Sequence, residues 1–526
     1  MWKYLSKKYL ENHIWWTVTI IPKSKRLKYY FELVCGYEVW NYFSDGFLDC
    51  RQTEIQKKSL SYFTMPWMHP ADLDTTPNWV SKTIWYQIFV DRFYRSKNSP
   101  KTKDILEWRE DETVTNEERF GGNLKGITEK LGYLSDLGIN GIYLTPICES
   151  ETIHGYHTIN YNKINQYFGT ENDMKELVKE AHQLGIRVMM DGVFNHCGQM
   201  FKPWQDAFKR GANSKYFDWF MFNKWPVDID HDTRDNRFYS FAYAADMPKL
   251  NTDNEQVISY LEKICLSWIK LFDIDGIRFD AGNEISHYCI KKIRRKLKSV
   301  RPDIYLVGEI WHDAFQWLDG DEFDAVTNYP LADVINNVFL DKNLTKFDFE
   351  YKMNDCYTRY KRQHNRIMLN MLDSHDTIRL INRSNDIGVF IQELATLFTM
   401  PGSPCIYYGT EIALEGMRDP DCRRCMPWKN INKGQRRNCR NLICQLIKLR
   451  RNEPLLSSVH FCFTNVYKEN RMIEYMKFDE MGNQLEILMN ACDRSVYIGA
   501  GNRNILFAYR YLNNILSPGG TLIRKK

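Results

Sequence analysis

A chain of 526 residues is too long for one ordinary compact domain, and an apolar content of 44% supplies a sizeable core rather than a disordered chain. The formal charge of +5 is small for this length and no polybasic block stands out, so neither nucleic acid nor an anionic membrane is the expected partner. No run of ~18 apolar residues appears, the opening stretch lacks the form of a signal peptide, and the 14 cysteines are scattered; a cytoplasmic protein with reduced thiols is expected.

In chain order, residues 14–65 read as strands: "IWWTVTII", "LKYYFELV", "YEVWNYF" and "SLSYFTM" are aromatic and β-branched, with turn residues between them. From about residue 80 the texture changes. Apolar runs recur at "TIWYQIFV", "INGIYLTPI", "IRVMMDGVF", "IDGIRFD", "IYLVGEI", "FDAVTNY", "IMLNMLD" and "PCIYYG". Amphipathic helix patterns lie between several of them, most clearly at 171–185 and 254–272. Eight runs alternating with helices predict an α/β chain built on a (β/α)8 barrel. About sixty residues rich in Trp, Phe and Tyr separate "DGVFNH" from the helix near Asn254. That is far beyond an ordinary βα loop and predicts a small inserted domain, about 197–253. The helix "NLICQLIKLRRNEP" closes the barrel, and short alternating strands then return, so the expected domains are 1–75, 80–457 and 458–526. Cys422 and Cys425 form a lone CxxC with no second pair and no nearby histidine, so two free thiols are expected there rather than zinc.

Four barrel strands end in ionisable residues: Asp191, Asn195 and His196; Arg278 and Asp280; Glu309; and Asp373, His375 and Asp376. The C-terminal strand ends of such a barrel converge on one mouth. An acid ending an apolar strand costs desolvation unless it is paired or used. Two carboxylates at one mouth suit glycoside hydrolysis, in which one is the nucleophile and the other the acid. Arg278 and Asp280 share a strand face, so the guanidinium is expected to keep Asp280 ionised. Glu309, behind "YLVG" and before Trp311, is expected in a less polar pocket with a raised pKa. His196 and His375 suit sugar hydroxyls.

"DGVFNH", "GIRFDAGNE", "GEIW" and "LDSHD" resemble, in order, the four signature regions of the α-amylase superfamily. The resemblance implies a barrel with a B-domain after the third strand and a C-terminal β-sandwich domain. It makes Asp280 the nucleophile, Glu309 the general acid/base and Asp376 the third acid. It places Asp191, His196, Arg278 and His375 around the reacting sugar, with Tyr156 of "HGYHTINY" as the platform beneath. "MPKLN" (247–251), the Asn283-Glu284 pair and "EGMRDPDCRRCMPW" (415–428) resemble the neopullulanase, cyclomaltodextrinase and maltogenic amylase branch. That branch implies cleavage of α-1,4 links in cyclodextrins, pullulan and maltooligosaccharides, often with glycosyl transfer. Glu284 and Trp311 then shape the acceptor side. The alternatives are a transferase or isomerase of the same superfamily, and a catalytically silent glucan-binding relative.

Two departures set further expectations. The N-terminal segment resembles the second half of the starch-binding-like β-sandwich that precedes the barrel in this branch, with its first strands missing. A weakened homodimer follows, because unpaired edges are left. The loop "YRSKNSPKTKD" is basic where the branch often binds calcium, so no cofactor is expected to be required. Asn195 could still serve another structural calcium, though this is not the expectation.

Overall fold

The computed structural model describes residues 3–56, 61–67, 69, 75–97, 99, 103–499 and 504–526. Residues 59–60 of "SLSYFTM" and residues 98 and 100–102 of the basic loop lie outside the described residues. The chain divides into two compact units, Met1–Thr75 and Thr76–Lys526.

The first unit carries short antiparallel pairings. Ser6–Tyr9 pairs with Ile14–Thr17, Leu27–Tyr29 with Phe63–Met65, and Phe31–Cys35, Glu38–Phe43 and Gly46–Asp49 form a meander. Phe43 is fully buried, stacked on Tyr30 at 4.9 Å and edge-on to Tyr62 at 5.5 Å. The expected strand over 14–21 extends only to Thr17, and Cys50–Gln56 is a helix that strand propensity does not foresee.

The second unit holds eight parallel strands: β1 (Trp85–Ile88), β2 (Gly141–Leu144), β3 (Arg187–Gly192), β4 (Gly276–Phe279), β5 (Tyr305–Gly308), β6 (Ala325–Val326), β7 (Leu369–Met371) and β8 (Ser403–Tyr407). The first seven fall inside their apolar runs, and β8 begins one residue ahead of its run, at Ser403. Neighbours pair in sequence, β8 returns to β1, and a parallel bridge from Thr327 to Leu369 joins the ends of β6 and β7, so the sheet closes. All residues of β1, β2, β4 and β5 are buried, as strands covered on both faces must be.

The helices cover the outside. Glu255–Phe272 buries Val257, Ile258, Leu261, Ile264, Cys265, Trp268, Ile269 and Phe272, one stripe at helical spacing. The Asn254 side chain caps it by accepting from the N–H groups of Gln256 and Val257. The segment between β3 and this helix is held by aromatic packing, with Trp204 against Phe220, Phe222 and Phe238 at 5.0–5.3 Å. After the helix Arg437–Asn452 comes an antiparallel sheet of six strands, from Phe461–Phe463 to Ile515–Lys525. It packs on helix Ile387–Thr399, where Thr396 meets Met489 and Gln392 donates to the carbonyl of Gly520. Cys422 and Cys425 are buried free thiols. No helix among the described residues is long and apolar enough to cross a membrane.

The end of the barrel opposite the acids is closed by Asp275, just before β4 and 1% exposed. One carboxylate oxygen accepts from Arg187 at 2.6 Å and Arg301 at 3.0 Å, the other from His182 at 2.7 Å and the Val188 N–H at 2.9 Å. Burial alone would raise its pKa, but these donors, His182 foremost, hold it below its ordinary value. The stabilisation is therefore present above the ordinary carboxylate range and is lost as pH falls through the depressed value. Asp275→Ala removes the buried acceptor of four donors, leaving Arg187 without this partner while Arg301 keeps Asp273, and should cost about 2–3 kcal/mol in urea unfolding. An unaltered unfolding midpoint would contradict this.

Candidate active site

Asp191 in β3 and Arg278 in β4 are register partners on adjacent parallel strands, so their side chains share one face and meet. Arg278 is 2% exposed, and its Nη1 donates to both Asp191 oxygens at 2.7 and 2.8 Å and to Asp280 Oδ1 at 3.0 Å. Its Nη2 reaches Glu309 Oε2 at 2.8 Å. One guanidinium fork thus gathers the acids of three successive strands. Asp280 directly follows β4, and its N–H donates to the Gly192 carbonyl. Ala281 takes the left-handed conformation at φ 46°, unusual for a residue with a Cβ, and its N–H then points to Glu309 Oε2 at 2.9 Å. Glu309 Oε1 accepts from the Trp311 indole at 3.0 Å. Gly308 is needed where it stands, because a Cβ there would meet the Phe323 ring at 2.4 Å.

The other expected residues surround this centre. Tyr156 donates to Asp191 at 3.0 Å, contacts His375 Nε2 at 2.7 Å and lies parallel to that imidazole at 5.3 Å. Gln87 Nε2 donates to His375 Nδ1 at 3.0 Å, which leaves the ring proton on Nε2, facing Tyr156 and Asp376. Burial, with Arg423 and Arg278 nearby, keeps His375 neutral. His196 is buried against Phe241, rings 4.7 Å apart, and burial lowers its pKa to about 3. Its Nε2 is buried and has no hydrogen-bond partner. Asp376 keeps 31% of its side chain open at the rim; burial of the remainder and the Glu309 charge push its pKa up to about 7. Glu284 accepts from Lys249 at 2.8 Å and from Asn195 at 3.3 Å, so Asn195 is turned to an acid of this mouth. Trp311 is half exposed and stacks on Tyr329 at 3.7 Å.

The acid–base pair differs from the sequence expectation. Asp280, expected ionised, is pushed well up by burial and then by the Glu309 charge, which outweigh Arg278. Glu309, expected in a poorly polar pocket and raised, is instead lowered: burial opposes it, but Arg278, the Ala281 N–H, the Trp311 indole and a hydrogen bond from the Asp280 carboxyl prevail. The reason is geometric. Nη1 of Arg278 is divided between Asp191 and Asp280, whereas Nη2 goes to Glu309, which also collects two N–H donors. The two carboxyls titrate as a pair, and this division of donors favours the proton on Asp280 over Glu309.

Several contributors escape sequence reasoning. Tyr143 in β2 donates to Asp191 at 2.7 Å, and Gln87 in β1 orients His375. Both read as ordinary members of apolar strands; a polar group inside a fully buried run is the only signal. Arg423 lies 3.5 Å from Asp376, bonds the His375 carbonyl, and sits within the quoted segment 415–428. Lys249, inside "MPKLN", is the cation that holds Glu284.

A closed parallel barrel with paired carboxylates on one guanidinium at its C-terminal mouth defines a barrel glycoside hydrolase. The model of the alpha amylase catalytic domain matches residues 87–441, and the chain belongs to the α-amylase family. It is 40% identical over 470 residues to an intracellular maltogenic amylase of Bacillus subtilis, covering 89% of this chain and 78% of that one. It is 36% identical over 431 residues to neopullulanase 2 of Thermoactinomyces vulgaris, covering 81% and 72%. A solved cyclomaltodextrinase superposes with a TM-score of 0.86 at 32% identity, covering 99% of this chain and 89% of that one.

Proposed function

We propose that this chain is a retaining α-glucan hydrolase that cuts α-1,4-glucosidic bonds of cyclomaltodextrins, pullulan and maltooligosaccharides, with glycosyl transfer as a second outcome. One observation carries the reading: Asp280 and Glu309 lie on the two arms of one guanidinium, close enough to share a hydrogen bond. Such proximity favours a retaining pair over an inverting one, whose acid and base stand farther apart to admit a water.

Asp280 is the nucleophile and Glu309 the general acid/base. Substrate supplies the basic leaving oxygen on the Glu309 side and an electron-poor anomeric carbon beside Asp280, so the proton favoured on Asp280 passes to Glu309. Asp280 Oδ bonds to the anomeric carbon as the glycosidic C–O bond breaks, and Glu309 protonates the departing oxygen. Glu309 then removes a proton from water, whose oxygen displaces Asp280; a sugar hydroxyl in place of water gives transfer. Asp376 grips hydroxyls of the distorted ring. His196 and His375, both neutral, and Asp191 through Tyr156 and Arg278 hold the rest of that subsite. Tyr156 is its platform, and Glu284 and Trp311 line the acceptor side. The work is placed in the cytoplasm, a reading that the intracellular Bacillus subtilis relative supports.

The test is the release of new reducing ends from β-cyclodextrin, pullulan and soluble starch by the purified chain. Release from at least one is expected; inertness on all three would sink the proposal.

A further inference from the structure

The third acid has two close neighbours. Asp376 turns Oδ2 to the Nε2 of His375 at 3.1 Å and Oδ1 to the Nη2 of Arg423 at 3.5 Å. Arg423 is 4% exposed, and its other two nitrogens are engaged elsewhere. Nε donates to the His375 carbonyl at 3.0 Å, while Nη1 donates to Asn116 Oδ1 at 2.9 Å and reaches Asp419 Oδ1 at 2.8 Å. Nη2 is the arm turned to Asp376, and 3.5 Å is long beside the ~2.7–2.9 Å of a charge-assisted hydrogen bond. One guanidinium is thus divided between two acids, and the tighter contact goes to Asp419, whose side chain is 40% exposed. Burial opposes the charge on Arg423, but Asp419 first and Asp376 second hold it protonated.

The charges facing Asp376 come from several elements. Glu309 after β5 repels it, Arg278 on β4 and Arg423 attract it, and Asp419 repels it. Asp376 in turn repels Asp280. Its other ionisable neighbours carry no charge: His375 is kept neutral by burial, and burial raises both the Tyr329 hydroxyl and the Cys422 thiol. Arg278 bonds Asp191, Asp280 and Glu309, so Arg423 is the cation in contact with the third acid. An ionised carboxylate accepts from two sugar hydroxyls and favours the positive charge that develops on the ring. A protonated one gives up an acceptor site and the charge.

We propose that Asp419 and Arg423 are a positioning pair for Asp376: Arg423 is the counter-cation of the third acid, and Asp419 draws that guanidinium toward solvent and limits its hold on Asp376. The proposal rests on the hydrolase reading above. The pair thereby sets the acid limit of activity.

The test is the pH profile of kcat/KM on maltohexaose, whose acid limb reports the essential ionised groups of the free enzyme. Asp419→Asn removes a repelling charge and releases Arg423 toward Asp376, so the limb should move to lower pH by about half a pH unit. Arg423→Gln removes the attraction, so the limb should move to higher pH by about one pH unit. Arg423→Lys keeps the charge and should leave the limb nearer to wild type than Arg423→Gln does, whatever happens to the height of the profile. Opposite movements from the two ends of one ion pair are not what a merely structural loss produces. Nor would a limb belonging to Asp280 behave so, because a more protonated Asp376 repels Asp280 less and would send that limb downward in Arg423→Gln. A limb that fails to move down in Asp419→Asn, or fails to move up in Arg423→Gln, would overturn the proposal, as would equal displacement in Arg423→Lys and Arg423→Gln. If the Arg423 variants do not fold, Asp419→Asn decides alone: downward movement supports the pair, and its absence overturns it. A wild-type chain inert on maltohexaose would remove the hydrolase reading and the pair with it, whereas an active chain with unmoved limbs removes the pair alone.

Discussion

Glu309→Gln should lower kcat on maltooligosaccharides by at least ~10²–10⁴, the range expected for loss of a general acid. The substitution keeps the size and shape of the side chain, although its single carbonyl oxygen can accept from only one of the Ala281 N–H and the Trp311 indole, which bond different oxygens of Glu309. It removes the one atom that can deliver a proton to the leaving oxygen. It also removes the charge that pushes Asp280 and Asp376 upward, so both carboxyls should ionise more readily in the variant. Substrate binding should survive. A substrate with a good leaving group should lose far less, because fluoride departs with little help from an acid. Steady-state kinetics on maltotriose and α-maltosyl fluoride separate these effects, and near-wild-type hydrolysis of maltotriose would take Glu309 out of the role.

Arg278→Lys should be impaired on the order of 10²-fold or more, although the charge is kept. The guanidinium makes hydrogen bonds to Asp191 and Asp280 from one nitrogen and an ion pair with Glu309 from the other. An ammonium group is a point charge that cannot span the same three carboxylates in fixed geometry. Asp280 and Glu309 would then lose their mutual spacing, and misplacement by about 1 Å is enough for a loss of that order. Activity within a few-fold of wild type would show that the fork does not set the pair.

The barrel was legible because its strands are buried on both faces, so each is a continuous apolar run, and helical periodicity fills the gaps. The acids stood out because Asp191, Asp280, Glu309 and Asp376 end or follow such runs. Legibility failed where local chemistry was ambiguous. The run from Ile14 to Ile21 has strand propensity throughout but pairs only to Thr17. The closing hairpin, Ile505–Leu512 with Ile515–Lys525, hides behind Arg, Asn and a Pro-Gly-Gly stretch that reads as a turn. Protonation was misjudged for a deeper reason. Adjacency of Arg278 and Asp280 suggested a private ion pair, but the strand register makes Asp191 the principal partner and sends the free arm to Glu309. A left-handed Ala281 that aims its N–H at Glu309 leaves no mark in the sequence.

The central claim is that Asp280 bonds covalently to the anomeric carbon and that water then enters from the face the leaving group vacated. Proton NMR of sugar freshly released from a maltooligosaccharide tests it most directly, before mutarotation mixes the anomers. Two inversions at one carbon restore the starting configuration, so the first product signal should be the α-anomer. An initial β-anomer would mean a single displacement by water and would contradict Asp280 as the nucleophile.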